Sequence, residues 1–189
     1  MQVVRTFVAV SLADELRKRV SEVQEQVKKL APDVKWVAPD NLHVTLKFLG
    51  DVREDALGGV FSAVEEAAGA SAPFELSISG LGAFPTARNA RVVWVGIEQG
   101  REQLVALASA VDAKLSKLGF PKEEREFKSH ITIGRVKTSR LLDDLARGIG
   151  EIDAADVGSQ VVSSVVVMQS DLRPDGPIYT PLRVVEFAG

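Results

Sequence analysis

The chain has 189 residues, of which 46% are hydrophobic and 26% charged, a globular composition that excludes intrinsic disorder, collagen and coiled coil. Its formal net charge of -3 argues against nonspecific coating of nucleic acid but leaves room for a small, locally basic site. Because the chain has no cysteine, disulfides, thiolate nucleophiles and Cys-ligated metals are excluded. No apolar run approaches the roughly 18 residues of a membrane helix, and no secretory signal pattern is present, so we expect a cytoplasmic protein with no membrane partner.

Hydrophobic periodicity and turn residues predict strands interleaved with helices. In chain order the predicted elements are strand 3–10, a helix capped by Ser11 that ends near residue 30, strands 34–37 and 42–49, helix 55–68, strands 74–79 and 91–97, helix 101–118 stopped by Gly119, strand 127–136, helix 140–147, and strands 161–169 and 179–187. Because several strands follow one another directly, the order predicts an α+β fold with mixed or antiparallel sheets. No linker divides the chain, so residues 1–189 are expected to form one domain.

The least ambiguous feature is a repeated motif around the two histidines. The chain contains only His43 and His130, and each is followed two residues later by a threonine, Thr45 and Thr132, with apolar residues between and after. Side chains on a strand alternate between faces, so each histidine shares a face with its threonine. If the two strands lie side by side or across a pseudo-twofold axis, both pairs converge on one small site.

Such a site suits acid–base chemistry on a phosphodiester. Near neutral pH one imidazole can be neutral and remove a proton from water, while the other is protonated and donates to a leaving oxygen. The threonine hydroxyls can donate hydrogen bonds to phosphate oxygens. A single histidine on a strand is more often structural, and two histidines without a third ligand make a poor zinc site. The duplication favours the catalytic interpretation, and the motif places no carboxylate that demands a metal.

Positions near the motifs are candidate substrate contacts. Phe48 and Arg135 each lie five residues after a histidine, which on a regular strand points them away from the site, although Gly50 and Gly134 would allow a bulge. With a bulge the pair could stack a nucleobase. Without one, Phe48 would lie in the core and Arg135 at a solvated strand end. For Phe48 we favour the core.

Other residues border the predicted site. Lys47 is predicted on the His43 face, and Lys128 on the His130 face. A basic neighbourhood that could attract an RNA end comprises Arg135, Lys137, Arg140 and these two lysines. Trp94 is predicted in the core, whereas Tyr179 and Arg173 could border the cleft.

The chain resembles the two-histidine phosphoesterase superfamily, and its longer motifs resemble the RNA 2′,3′-cyclic phosphodiesterase branch, historically called 2′-5′ RNA ligase. The matching stretches are residues 5–9, 41–50, 83–85, 91–96, 127–135 and 176–179, spread from end to end. The long form around His43 is specific, whereas the short His-x-Thr pattern is shared by all branches. One departure is Ser129, where proline is expected in many relatives.

The resemblance implies a bilobed α+β fold with pseudo-twofold symmetry, helices on the outside and the two motifs facing a central cleft. It also implies cofactor- and metal-independent hydrolysis of an RNA-terminal 2′,3′-cyclic phosphate to a 2′-phosphate, with a weak reverse 2′-5′ ligation of tRNA halves. His43 and His130 then take the acid and base roles, and Thr45 and Thr132 hold phosphate oxygens. Our hypothesis makes His130 the base for water and His43 the acid for O3′. We expect a monomer.

Two alternatives use the same cleft. A non-catalytic module could bind RNA or a nucleotide, although binding alone does not need two titratable imidazoles. A phosphodiesterase of the same mechanism could act on small cyclic nucleotides. Turnover of an RNA end separates the first alternative from catalysis, and comparison of mononucleotides with long RNA ends tests the second.

Overall fold

The computed structural model describes residues 2–138 and 142–189. Its strands are β1 (Val3–Ser11), β2 (Lys35–Trp36), β3 (His43–Arg53), β4 (Phe74–Phe84), β5 (Val92–Ile97), β6 (His130–Arg135), β7 (Gly158–Val162), β8 (Ser164–Asp171) and β9 (Ile178–Glu186). Its helices are α1 (Asp14–Leu30), α2 (Leu57–Ala68), α3 (Arg101–Ser116) and α4 (Leu142–Glu151). None of the helices described is long and apolar enough to cross a membrane.

The strands form two sheets in which every described pairing is antiparallel. One has the order β3-β1-β8-β9 and the other β2-β6-β5-β4-β7. The chain repeats one pattern, since β1-α1-β3-α2-β4 is followed by β5-α3-β6-α4-β8. The last strand of each half joins the other half's sheet, because β4 pairs with β5 and β8 pairs with β1. This exchange ties the two pseudo-symmetric halves together.

The helices cover one face of each sheet. α2 and α3 pack together beside β3, β8 and β9, whereas α1 and α4 pack together beside β4 and β7. The apolar residues on these faces join one core cluster, in which Val44, Leu46, Ile131 and Ile133 from the two histidine-bearing strands are buried. The predicted α+β class, with antiparallel sheets and outer helices, is confirmed.

Several predicted elements differ in the structure. β3 and β4 continue to Arg53 and Phe84, past the predicted ends at residues 49 and 79, and β6 begins at His130 and not at residue 127. The apolar run 161–169 was predicted as one strand. In the structure the strand is interrupted at Ser163, so that β7 and β8 belong to different sheets. Apolar character alone cannot say which sheet a residue joins. Ser11 is not the cap of α1: it lies in β1, and the Ala13 backbone N–H donates instead to Gln160 Oε1 at 2.7 Å. Arg140, where the fourth helix was predicted to begin, lies outside the described residues.

Candidate active site

The two histidine-bearing strands meet where the sheets approach each other. β3 is the edge of the four-stranded sheet and contacts β6 of the five-stranded sheet. The two-residue strand β2 pairs only with the Gly134–Arg135 end of β6, which leaves the His130 end beside β3. Because the apolar residues of both strands face the helices, His43, Thr45, His130 and Thr132 occupy the opposite faces.

Both strands carry a bulge at the same distance from the histidine. In β3, Thr45 lies opposite Ala9 and Lys47 lies opposite Val8, so that Leu46 has no partner of its own. In β6, Thr132 and Gly134 lie opposite consecutive residues of β5, which leaves Ile133 unopposed. A bulge of this kind shifts the alternation of side chains by one residue. It therefore turns the fifth residue after each histidine onto the histidine's face.

The bulges bring Phe48 and Arg135 to the site. Phe48 is 62% exposed, and its ring lies 5.8 Å from the ring of Phe7, which is itself 5.0 Å from His43. The preference for Phe48 in the core was therefore wrong. The charge of Arg135 lowers the pKa of both imidazoles and of Tyr179, so its guanidinium is near enough to influence all three rings.

The same bulge removes Lys47 from the site. Its side chain is buried on the helix side of β3, where Nζ donates to Asp112 Oδ1 at 2.5 Å and to the Pro121 carbonyl at 2.7 Å. The prediction that Lys47 shares the face of His43 was wrong, because it assumed regular alternation. In the second half Gly134 occupies the equivalent position, and a Cβ there would lie 2.8 Å from Val34 and Trp36 side-chain atoms.

The two imidazoles are held in the same way. Nδ1 of His43 lies 2.6 Å from the carbonyl oxygen of Asn41, and Nδ1 of His130 lies 2.6 Å from that of Lys128. A carbonyl can only accept, so in each neutral ring Nδ1 carries the proton and Nε2 offers a lone pair. Both reactive nitrogens are thus Nε2.

The two halves differ at Nε2. His43 Nε2 lies 2.8 Å from Thr45 Oγ1, so in the neutral ring it accepts the hydroxyl proton. Within residues 2–138 and 142–189, His130 Nε2 makes no hydrogen bond. The lone pair of His130 is therefore the one open to a water molecule.

Each imidazole also packs against an aromatic ring in a T-shaped arrangement. Tyr179 lies 5.4 Å from His43 with an interplanar angle of 83°, and Phe84 lies 5.2 Å from His130 with an angle of 88°. Tyr179 was predicted to border the cleft. Phe7 and Phe84 had no predicted role as individual residues, and the only signal for either was its place in a matching stretch, 5–9 or 83–85.

Trp94 lies on the site side of its sheet and not in the core. It pairs with Thr132 on β6 and contacts Phe84, with ring centroids 5.2 Å apart. The indole lies against Gly82, where a Cβ would collide with it, and beside Gly96, where a Cβ would lie 3.3 Å from the indole and 2.6 Å from the Ser79 carbonyl oxygen. The core prediction for Trp94 was therefore wrong, because alternation on β5 places it with Thr132.

Burial and charge lower the pKa of both histidines. For His43, burial is the largest cause; the hydrogen bond to Asn41 opposes it, and the charges of Arg135 and His130 lower the pKa further. For His130, burial again leads, opposed by the Lys128 carbonyl and assisted by Arg135. Burial raises the pKa of the Tyr179 phenol, although Arg135 and Arg5 act against it. Both rings are therefore neutral in the free protein near pH 7.

Of the predicted basic neighbourhood, Lys47 is buried in its pair with Asp112, and Arg140 lies outside the described residues. Arg135, Lys128 and Lys137 are exposed, and Lys128 Nζ lies 5.6 Å from the centre of the Phe84 ring. Arg173 pairs with Asp171 at 2.9 Å, which offsets its charge. In the described part of the chain no three His, Asp or Glu side chains cluster as metal ligands do.

Comparison with known proteins agrees with this architecture, in which each half of a pseudo-symmetric fold supplies one His-x-Thr strand. The family model described as LigT like Phosphoesterase matches residues 10–94 and again residues 95–179. The RNA 2′,3′-cyclic phosphodiesterase of Methanothermobacter thermautotrophicus is 45% identical over 96% of this chain and 97% of its own length. The protein of the same name from Archaeoglobus fulgidus is 39% identical over 96% and 99%. The crystal structure of TT0787 of Thermus thermophilus has a TM-score of 0.82 and 29% identity, and the match covers 98% of each chain.

These matches define the class as two-histidine phosphoesterase. The chain belongs to the LigT-like phosphoesterase family. The two matched segments divide near residue 94, in agreement with the structural repeat.

Proposed function

We propose that this protein hydrolyses the 2′,3′-cyclic phosphate at the end of an RNA chain to a 2′-phosphate. The observation that carries the proposal is the matched pair of imidazoles, each held at Nδ1 by the carbonyl two residues earlier and each presenting Nε2 on adjoining strands. Relatives that are 45% and 39% identical carry the name of this activity. A binding protein would need neither the second imidazole nor the shared tautomer.

The reaction requires one neutral and one protonated histidine. Both rings are neutral in the free protein near pH 7, so the bound substrate must help one of them to take up a proton. A phosphate anion raises the pKa of an adjacent imidazole because it stabilises the charged form. Protonation of His43 also ends the hydrogen bond that Nε2 accepts from Thr45, which frees the Thr45 hydroxyl to donate to a phosphate oxygen.

In the proposed step, His130 Nε2 removes a proton from water as the water oxygen bonds to phosphorus. The bond from phosphorus to O3′ breaks, and His43 Nε2–H supplies the proton that O3′ takes up. Thr45 and Thr132 donate hydrogen bonds to the non-bridging oxygens. The step ends with His130 protonated and His43 neutral, and exchange with water restores both. The same sequence with an RNA 5′-hydroxyl in place of water would join that RNA to the cyclic phosphate through a 2′-5′ bond, with O3′ again as the leaving group.

The RNA end itself would be held by the residues that the bulges expose. Phe48 offers an aromatic face and Arg135 a guanidinium plane, the two surfaces on which unpaired bases stack. Arg135 also supplies positive charge beside the phosphate, and Tyr179 borders the same space next to His43. The ligand is therefore a terminal nucleotide of an RNA, with fragments of tRNA as candidate substrates. We further propose that residues 1–189 act as one domain and as a monomer.

The direct test is incubation with an oligoribonucleotide that ends in a 2′,3′-cyclic phosphate, with EDTA present. Conversion to a 2′-phosphate, read by ³¹P NMR, supports the proposal, and the two His→Ala variants serve as matched controls. Stoichiometric binding without turnover would favour a binding module instead. A higher kcat/KM for a cyclic mononucleotide than for an oligonucleotide would move the substrate to small cyclic nucleotides.

A further inference from the structure

The residue two before His43 has contacts beyond its hydrogen bond to the ring. The Asn41 carbonyl accepts from His43 Nδ1 at 2.6 Å, and its side-chain Nδ2 donates to the carbonyl of Pro177 at 2.8 Å. Pro177 directly precedes β9, and two residues later Tyr179 sets its ring edge against His43. Asn41 thus holds both the imidazole and the segment that carries the ring packed on it.

Lys128 stands in the same relation to His130. Its carbonyl accepts from His130 Nδ1 at 2.6 Å, and its Nζ lies 5.6 Å from the centre of the Phe84 ring. Phe84 in turn packs edge-on against His130 at 5.2 Å. The two halves use different chemistry, an amide in one and a cation in the other, and their aromatic rings come from strands that are not equivalent. The correspondence therefore lies in the role of the side chain.

We propose that Asn41 and Lys128 are matched positioning residues, each of which fixes its histidine through the main chain and anchors the aromatic ring that shields that histidine through the side chain. The inference rests on the proposed function, because it takes the two imidazoles as acid and base. It adds a cause for their matched environments, since burial is the largest influence that lowers the pKa of each ring. Release of the aromatic ring should hydrate the imidazole and raise its pKa.

Other charged and titratable groups face these rings. In the described structure, Arg135 acts on both imidazoles, His130 acts on His43, and Arg5 acts with Arg135 on Tyr179. A substitution at Asn41 removes none of these charges, so a change in the His43 pKa would report the environment of the ring. A substitution at Lys128 does remove a charge and needs a further control.

The test for Asn41 is NMR titration of the imidazole Cε1–H signals, which are simple because the chain has only two histidines. In Asn41→Ala the main-chain acceptor remains but the tie to Pro177 is lost. We expect the pKa of His43 to rise toward 6.5 while that of His130 stays in place. Turnover of the cyclic phosphate should show a kcat about tenfold lower, since small misplacement of an acid or base is costly, with KM changed less than about twofold.

Asn89, the other asparagine, is exposed and makes no side-chain hydrogen bond within the described residues, so Asn89→Ala is the matched control and should leave both titrations unchanged. If Asn41→Ala does not fold, Asn41→Ser suits the turn and is too short to reach Pro177. An unshifted His43, or equal shifts of both histidines, would overturn the role of Asn41. The titration does not depend on activity, so absence of turnover in the wild-type protein would refute the proposed function alone.

For Lys128 a double-mutant cycle separates charge from anchoring. Lys128→Met removes the cation and keeps the stem, and should raise the pKa of His130 but not that of His43. In a Phe84→Leu background the same substitution should have little further effect, because its action runs through the ring. An equal rise in both backgrounds would show that only the lost charge matters and would refute the anchoring role.

Discussion

Phe48 and Arg135 occupy equivalent places in the two halves of the chain, five residues after His43 and His130, and a bulge in each strand turns both toward the same site. Without the bulges both side chains would point to the helix side of their strands. The repeat thus preserves a local irregularity as well as the fold, and the irregularity presents two different surfaces, aromatic and cationic, for the substrate that we propose.

The roles of His43 and His130 can be separated by leaving-group chemistry. Each His→Ala variant should lose about 10²- to 10⁴-fold in kcat on a 2′,3′-cyclic phosphate, the usual contribution of an acid or base. A substrate with a better leaving group needs no acid, so it should restore much of the activity of His43→Ala but not of His130→Ala. Rescue of His130→Ala alone would reverse the assignment.

The pH dependence of kcat/KM follows from the lowered histidine pKa values. The active form of the free enzyme has one histidine protonated and the other neutral. Because both pKa values lie below 6.5, this form becomes more populated as pH falls from 7. We expect a bell-shaped profile whose maximum lies below pH 6.5. Arg135→Ala should move the maximum to higher pH, because the charge of Arg135 lowers both histidine pKa values and its loss lets them rise. A maximum above pH 7.5 in the wild-type protein would contradict this prediction.

Phe48 can be tested apart from stability because its side chain is 62% exposed. Base stacking on an aromatic residue contributes about 1–3 kcal/mol, so Phe48→Ala should raise KM for an RNA end about tenfold or more and leave the melting temperature nearly unchanged. Leu118 is 50% exposed in the turn that follows α3, and Leu118→Ala is the control for loss of an exposed apolar side chain. Equal KM values for the two variants would remove Phe48 from the binding site.

Lys47 should matter for stability and not for substrate contact. The side chains of Lys47 and Asp112 are only 5% and 14% exposed, and removal of one partner leaves a buried charge unpaired. Asp112→Ala should therefore lower the free energy of unfolding in urea by about 3 kcal/mol, and the double variant Lys47→Met/Asp112→Leu should recover part of it.

The exposed pair Lys114–Glu66 provides the comparison, since Lys114→Met should leave unfolding nearly unchanged. A similar urea midpoint for Asp112→Ala and wild type would show that Lys47 finds water or another partner when Asp112 is absent.

The sequence by itself determined which residues the proposed chemistry uses. The spacing of His43 to Thr45 and of His130 to Thr132 places each pair on one strand face, because alternation is a local property of extended backbone. The same periodicity located most strands and helices, and the apolar neighbours of the histidines were correctly assigned to the core.

Tertiary structure alone decided which residues surround the histidines. The bulge that exposes Phe48 and buries Lys47 depends on pairing of β3 with β1, and the bulge that turns Arg135 depends on pairing of β6 with β5. The exchange of β4 and β8 between sheets depends on packing of the two halves. Phe84 and Tyr179 reach the imidazoles from strands distant in the chain, and Asn41 reaches Pro177 across 136 residues. Such contacts are settled by the free energy of the whole fold, which local periodicity does not encode.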